Sequence, residues 1–220
     1  MFKRVTIALT FVLLLTFEAN AQRTDNYKYE IGLKLLSYSE LVPIKGTSYN
    51  NSAYYSSYPS GIIFKTHDNQ FSYRFSFNYR NYKRYGSDTL SNKYKDLSVR
   101  TGFEKDFIYS EIRPYIGFEL FYYRSDFKGS FENPSFQNST LINARNGIGF
   151  SPIIGIKYSP IDRLTISVES NVEGIWAFDK QKVYTTNSNM TTTLPSNDHF
   201  EVYFNPLAMF TVSYSFGSYD

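Results

Sequence analysis

The stretch FSYRFSFNYR, Phe71 to Arg80, places a ring at every odd position: Phe71, Tyr73, Phe75, Phe77 and Tyr79. Ser72, Arg74, Ser76, Asn78 and Arg80 fill the even positions. A strict period of two is a β-strand with one apolar and one polar face. If the rings pack inward, the chain is a soluble barrel with its arginines in water. If the rings meet lipid, the arginines fill the lumen of a membrane barrel.

The same alternation runs through seven further segments. YKYEIGLKLL sets Tyr27, Tyr29, Ile31, Leu33 and Leu35 against Lys28, Glu30, Gly32 and Lys34, and GIIFKTH has Ile62 and Phe64 in phase. KDLSVRTGFEK opposes Leu97, Val99 and Phe103 to Asp96, Arg100, Gly102 and Glu104. IRPYIGFELFY opposes Ile112, Ile116, Phe118 and Leu120 to Arg113, Gly117 and Glu119. NGIGFSPIIGIKY, LTISVESNVEGIW and HFEVYFNPLAMFTVSYSF continue the pattern to the C-terminal end. Tight turns are expected at Asp68-Asn69-Gln70 and at Pro160 to Arg163. Longer connections are expected at Ser39–Pro59, Lys128–Asn143 and Asp179–Asn197, with a shorter one at Gly86–Asn92. Short and long connections at opposite ends are the mark of an up-and-down barrel across a membrane.

Composition narrows the choice. The first 21 residues, MFKRVTIALTFVLLLTFEANA, carry Lys3 and Arg4, an apolar run from Val5 to Phe17, and the small-residue site Ala19-Asn20-Ala21. This reads as a signal peptide cleaved before Gln22, leaving 22–220 as one domain exported through the Sec pathway. Without the leader there are 21 basic and 19 acidic residues, a net charge of +2, which makes no case for nucleic acid. The 21 Tyr, 20 Phe and one Trp make 19% of the chain, yet no segment after the leader approaches 18 consecutive apolar residues, so helical spans are excluded.

The glycines and the heights of the rings decide the inside. Gly32, Gly61, Gly102, Gly117, Gly147, Gly149 and Gly155 share the polar face, where they read as room for large charged neighbours in a narrow lumen. Only Gly174, near a rim, falls on the apolar face. Tyr29, Phe71, Tyr73, Tyr158, Tyr214 and Phe216 gather toward the short turns, and Tyr122 and Trp176 toward the long loops. Two levels of rings with aliphatics between them match the girdles of a membrane barrel. The expected fold is all-β: an eight-stranded antiparallel up-and-down transmembrane β-barrel with short periplasmic turns and longer extracellular loops. Pro152 and Pro206 interrupt expected strands without changing phase, so broken ladders are expected there and a one-residue bulge is not.

The leader ending ANAQ, RPYIGFEL at Arg113 to Leu120, and SPIIGIKYSPIDRLTISVESN at Ser151 to Asn171 carry a resemblance. The chain resembles the small eight-stranded outer-membrane β-barrel family of Gram-negative bacteria, in the bacteroidete style. The terminal FTVSYSF, Phe210 to Phe216, looks like the signal read by the barrel-assembly machinery, although Gly217 to Asp220 follow it. The resemblance implies an outer-membrane address, with membrane lipid and lipopolysaccharide as surroundings, and no particular activity.

Lys34, Arg74, Arg80, Arg100, Arg113 and Lys157 are expected in the lumen with Glu30, Asp96, Glu104, Glu119, Glu169 and Glu173. Buried charges must be paired, so a structural cross-barrel network is expected rather than a proton path. His67 and His199 fall at opposite ends and cannot share a site, so the catalytic option reduces to His199 with Asp198 acting on lipid A. No cysteine or histidine cluster supports a metal, and no cofactor is expected. Gly46 to Gly61, uncharged and holding Tyr49, Tyr54, Tyr55 and Tyr58, has the composition of an adaptable binding loop. NSNMTTT, Asn187 to Thr193, is similarly polar. The expected role is non-enzymatic: envelope structure, or surface binding of an extracellular partner. The alternatives are an accessory barrel with a periplasmic protein partner, a lipid A-modifying enzyme and a narrow channel.

Overall fold

In the computed structural model the described residues are 27–36, 42–45, 61–85, 91–108, 110–133, 136–185, 190–193 and 197–218. The strands are β1 (Tyr27–Leu36), β2 (Val42–Lys45), β3 (Gly61–Asp68), β4 (Phe71–Tyr85) and β5 (Ser91–Asp106), followed by β6 (Ile112–Asn133), β7 (Phe136–Ile161), β8 (Leu164–Thr185), β9 (Met190–Thr193) and β10 (Asn197–Ser218). All pairings are antiparallel: β1 pairs with β3, strands β3 to β9 pair in chain order, and β10 pairs with β8, β1 and β2 and so closes the sheet on itself.

The ten strands make eight staves. Leu36 faces Phe210 and Val42 faces Phe204, six residues further along both strands, so β2 resumes the register of β1 along one edge of β10. In the same way β9 continues the edge of β8 that β10 occupies lower down. Two-residue turns at Asn69-Gln70 and Asp162-Arg163 join β3 to β4 and β7 to β8, with Asn69 and Arg163 at positive φ.

Exposure settles the orientation. Tyr73, Ile154 and Leu33 are about three-fifths exposed (63%, 60% and 57%), whereas Arg74 is 2% exposed and Glu104 is fully buried. Outside in water this would waste large apolar areas. With lipid outside, the rings lose nothing and the charges satisfy one another within. The molecule is a transmembrane β-barrel.

Several connections expected as loops are strand. β6 runs to Asn133 and β7 starts at Phe136, so within Lys128–Asn143 the two strands pair as a ladder, and Asp179–Asn197 contains the end of β8 and all of β9. Thus Asn187 to Thr193 includes all of β9, while 187–189 lie outside the described residues. β6, β7, β8 and β10 have 22, 26, 22 and 22 residues, about twice what a tilted span of the bilayer needs. Above the lipid no apolar face is required, so alternation fades from the sequence while the backbone keeps pairing. Gly174 lies ten residues beyond the first residue of β8 and is therefore not near a rim. Residues 1–26 and 46–60, which include the leader and Tyr49, Tyr54, Tyr55 and Tyr58, lie outside the described residues.

The prolines are accommodated differently. Asn205 faces Asn171 and Met209 faces Glu169, so Pro206, Leu207 and Ala208 stand opposite Ser170 alone. Two extra residues make a bulge that leaves the in–out phase unchanged, and the Ser170 hydroxyl donates to the Pro206 carbonyl. A bulge is therefore present after all, hidden from the phase argument because its extra residues are even in number. At Pro152 there is none: the β7–β8 pairing omits Ser151 and Pro152 and resumes in the same register.

Candidate functional site: the filled lumen

Each inward position follows from the pleat. Odd residues of β6 and β7 and even residues of β4 and β5 point into the barrel, and the lower half is packed with charge. Arg74 on β4 is its hub. Its guanidinium donates to Glu104 of β5 at 2.9 Å, to both carboxylate oxygens of Glu169 of β8 at 2.9 and 3.1 Å, and pairs with Glu119 of β6 at 2.7 Å. The Tyr115 hydroxyl donates to Glu169 at 2.6 Å. Lys65 lies between Glu30 (3.2 Å) and Glu104 (3.0 Å), and Lys157 between Glu104 and Asp106, both at 2.7 Å. Arg100 pairs with Glu173 at 2.8 Å and lies 3.6 Å from Glu119. Lys34 donates to Ser76 at 2.9 Å and Arg113 to Ser159 at 2.7 Å. Six cations thus share the lower lumen with six carboxylates, which is how such charges tolerate burial.

Above this network lies a layer of different chemistry. Phe121, Tyr123, Ile175 and Ala177, all buried, pack together with the partly buried Tyr203. The Arg100 guanidinium lies over the Phe121 ring, 4.4 Å from its centroid. On the other side Arg145 donates from Nε to the Tyr123 hydroxyl at 2.6 Å and pairs with Glu201. His199 Nε2 is 2.8 Å from Glu201 Oε1 and 3.8 Å from Asp179. Farther along, Arg80 donates from Nε to Asp96 at 2.9 Å, and Ser125 donates to the same carboxylate at 2.5 Å.

The structure places Lys34, Arg74, Arg80, Asp96, Arg100, Glu104, Arg113, Glu119, Lys157, Glu169 and Glu173 on the inner face. Phe71, Tyr73, Tyr122, Tyr158, Trp176, Tyr214 and Phe216 are exposed on the outer wall. Tyr29, half-buried, stands between the rings of Phe64 and Phe216, at centroid distances of 6.0 and 5.7 Å.

Two sequence expectations are corrected. The glycines make room for rings more than for charges. Tyr115, Phe121 and Tyr123 of β6 point inward opposite Gly155, Gly149 and Gly147 of β7. A Cβ at Gly155 would lie 2.5 Å from the Tyr115 ring, one at Gly149 2.5 Å from the Phe121 ring, and one at Gly147 would collide with Tyr123. Gly174 repeats the device outside, where the Phe150 ring covers it. The second correction concerns His199: it faces the lumen and contacts Glu201, while Asp198, next in sequence, is exposed on the outer phase. The two cannot act as a pair because adjacent strand residues point to opposite faces.

Sequence reasoning missed Lys65, Asp106, Arg145 and Glu201. Lys65 and Glu201 were legible as alternates of Phe64 and of Phe200 and Val202. Arg145 falls just ahead of the segment read from Asn146, and Asp106 just past the segment read to Lys105. The inward rings had a signal too: in LFYYR adjacent aromatics must face opposite ways, so Phe121 and Tyr123 cannot join Tyr122 outside.

At the short-turn rim, Arg163 donates to the Tyr27 hydroxyl at 2.9 Å and the Tyr214 hydroxyl at 3.2 Å, and Tyr27 donates to Asp162 at 2.7 Å. These phenol contacts raise the pKa of the Arg163 guanidinium, Tyr214 first and Tyr27 second. The clasp joins the β7–β8 turn to β1 and β10, the strands that close the barrel.

An all-antiparallel closed sheet with charge inside and rings outside defines an integral outer-membrane barrel with a packed lumen. Residues 67–193, more than half of the chain, match the family described as Opacity family porin protein, and the chain belongs to that family. No curated protein matches it.

Proposed function

We propose that this is a non-enzymatic barrel with a closed lumen, of the bacteroidete style and exported through the Sec pathway, that serves envelope structure or surface binding from its loop-side end. The observation that carries the reading is the filled interior: the Arg74 network below and the Phe121–Tyr123–Ile175 layer above leave side chains where a conduit would run. Binding would then fall to the upper ladders of β6 to β10, which rise beyond the lipid, or to the segment holding Tyr49, Tyr54, Tyr55 and Tyr58. Lipopolysaccharide and membrane lipid surround the wall, and the barrel-assembly machinery inserts it.

Planar-bilayer recording tests the closed lumen: the purified barrel gives no discrete conductance steps, and steps from the wild-type chain would overturn the reading. Binding of intact expressing cells to extracellular proteins should fall when Gly46 to Gly61 is deleted. Retained binding with the segment gone would shift the role to the strand ladders or to the periplasmic rim. Lipid A masses should be unchanged on overexpression, for wild type and His199→Ala alike.

A further inference from the structure

The outer wall changes character abruptly along β4, β5 and β6. In the register of these strands, Phe77, Val99 and Tyr122 stand side by side, a wholly apolar row. Two residues up come Tyr79, Leu97 and Arg124, then Asn81, Lys95 and Asp126, and then Lys83, Lys93 and Lys128. All point outward. Arg124 pairs with Asp126 at 3.1 Å; among the described residues none of the four lysines is ion-paired. Five cations therefore face one carboxylate on three adjacent strands. Lys83 is directly opposite Lys93, and Lys93 opposite Lys128, with side chains roughly 5 Å apart, an arrangement that destabilises a sheet in water.

Height gives the patch its meaning. Lys83 lies twelve residues beyond Phe71, Lys93 twelve from Lys105, and Arg124 twelve beyond Ile112. At about 3.3 Å per residue and a tilt of about 40°, that is roughly 30 Å above the lower girdle, just past the ~25 Å apolar band. Strand tilt lifts Lys128 higher, but its flexible stem lets the ammonium reach down. On the opposite wall the residue twelve beyond Leu164 is Trp176. The outward lysines of β8, Lys180 and Lys182, lie farther up, so at the level of Lys83, Lys93 and Arg124 the charge is a patch on one side, not a ring.

We propose that Lys83, Lys93, Lys95, Arg124 and Lys128 form a binding surface for the phosphate groups of an outer-leaflet glycolipid. The proposal rests on the barrel's outer-membrane placement with its long strands outward. A phosphorylated glycolipid fits because the patch continues downward, without a break, into exposed Phe75, Phe77, Leu120 and Tyr122, against which acyl chains lie. A soluble polyanion would have no use for that wall. Phosphate oxygens between the ammonium groups turn the like-charge repulsion into attraction, and the Arg124 fork adds directional donors.

The test uses the mature chain folded in detergent micelles and native mass spectrometry with phosphorylated or fully dephosphorylated lipid A. The combined variant Lys83→Gln, Lys93→Gln, Arg124→Gln is compared with wild type and with Lys180→Gln, Lys182→Gln on β8. Wild type and the β8 variant should retain phosphorylated lipid A about tenfold better than the dephosphorylated form, and the combined variant should lose that preference. Equal retention of the two lipids by wild type, or an unchanged preference in the combined variant, overturns the proposal. So does a preference of the patch for heparin without one for phosphorylated lipid A, which would mean a soluble partner. The unboiled gel shift separates the two levels: a shifted barrel blind to phosphate sinks the patch alone, whereas a wild-type chain with no shift sinks the membrane placement beneath it. The three positions are on the outer face, so the variant is expected to keep the shift; the single substitutions are read the same way.

Discussion

The two halves of the lumen solve one problem by different means. In the lower half Arg74 meets three carboxylates from three strands, one of them 95 residues away in sequence, and seven of the eight staves contribute a charged side chain. In the upper half Arg145 meets Glu201 at close range, the Tyr123 phenol and, farther off, Asp179, partners that come from β10, β6 and β8, on one wall. Arg74, Glu104, Glu119 and Glu169 are almost fully shielded, whereas His199 and Asp179 are each 17% exposed. The lower cluster braces the barrel across its diameter; the upper one tacks neighbouring strands together near water. Between them, rings rather than charges fill the width.

That difference predicts an order of effects. Arg74→Met takes the guanidinium from three buried carboxylates and leaves Glu169 with its Tyr115 contact, and should cost about 3–5 kcal/mol in urea unfolding from micelles, enough to deplete the folded form on unboiled gels. Arg145→Met leaves Glu201 with its His199 contact and some water, so about 1–3 kcal/mol is expected. Equal losses would show that the upper cluster is as essential a brace as the lower.

Next come the ring and glycine pairs, present in both halves. Gly155→Ala forces a Cβ against a Tyr115 ring whose hydroxyl is tied to Glu169, and should cost about 1–3 kcal/mol. Added to Tyr115→Leu it should cost much less, with a coupling of roughly 1 kcal/mol in a double-mutant cycle. Gly147→Ala against Tyr123 should behave alike but more mildly if the upper half yields more easily. Strict additivity in both cycles would refute the claim that these glycines exist for those rings.

Pro206→Ala should change stability by less than about 1 kcal/mol, because the bulge is set by two extra residues rather than by the ring. A large loss would make the proline its cause. Smallest of all is Arg163→Ala at the rim, where exposed contacts give way to water; the unfolding midpoint should move down only marginally, and an increase would mean the clasp strains the closure.

Much was legible in the residues themselves. Phe71 to Arg80 could be only a two-faced strand, and Glu30, Arg74 and Glu169 had to share the face opposite the rings. The upper strands were less legible, because above the lipid both faces are wet and nothing compels alternation. Arg145, just ahead of the segment whose alternation begins at Asn146, gained its place only by backbone pairing with β6 and β8. The bulge at Pro206 was invisible for the opposite reason: its two extra residues preserve the very periodicity that would have revealed a single one.

Local alternation determined the lipid-spanning strands and their two faces, and the glycines and the heights of the rings chose the inner one, since a period of two is a property of consecutive residues in contact with lipid on one side. Only the tertiary structure decided which carboxylate meets which guanidinium and which glycines receive the inward rings. Those outcomes depend on closure of the barrel and on the relative stagger of its strands, which brings together ion-pair partners up to 95 residues apart, quantities that no single strand's pattern contains.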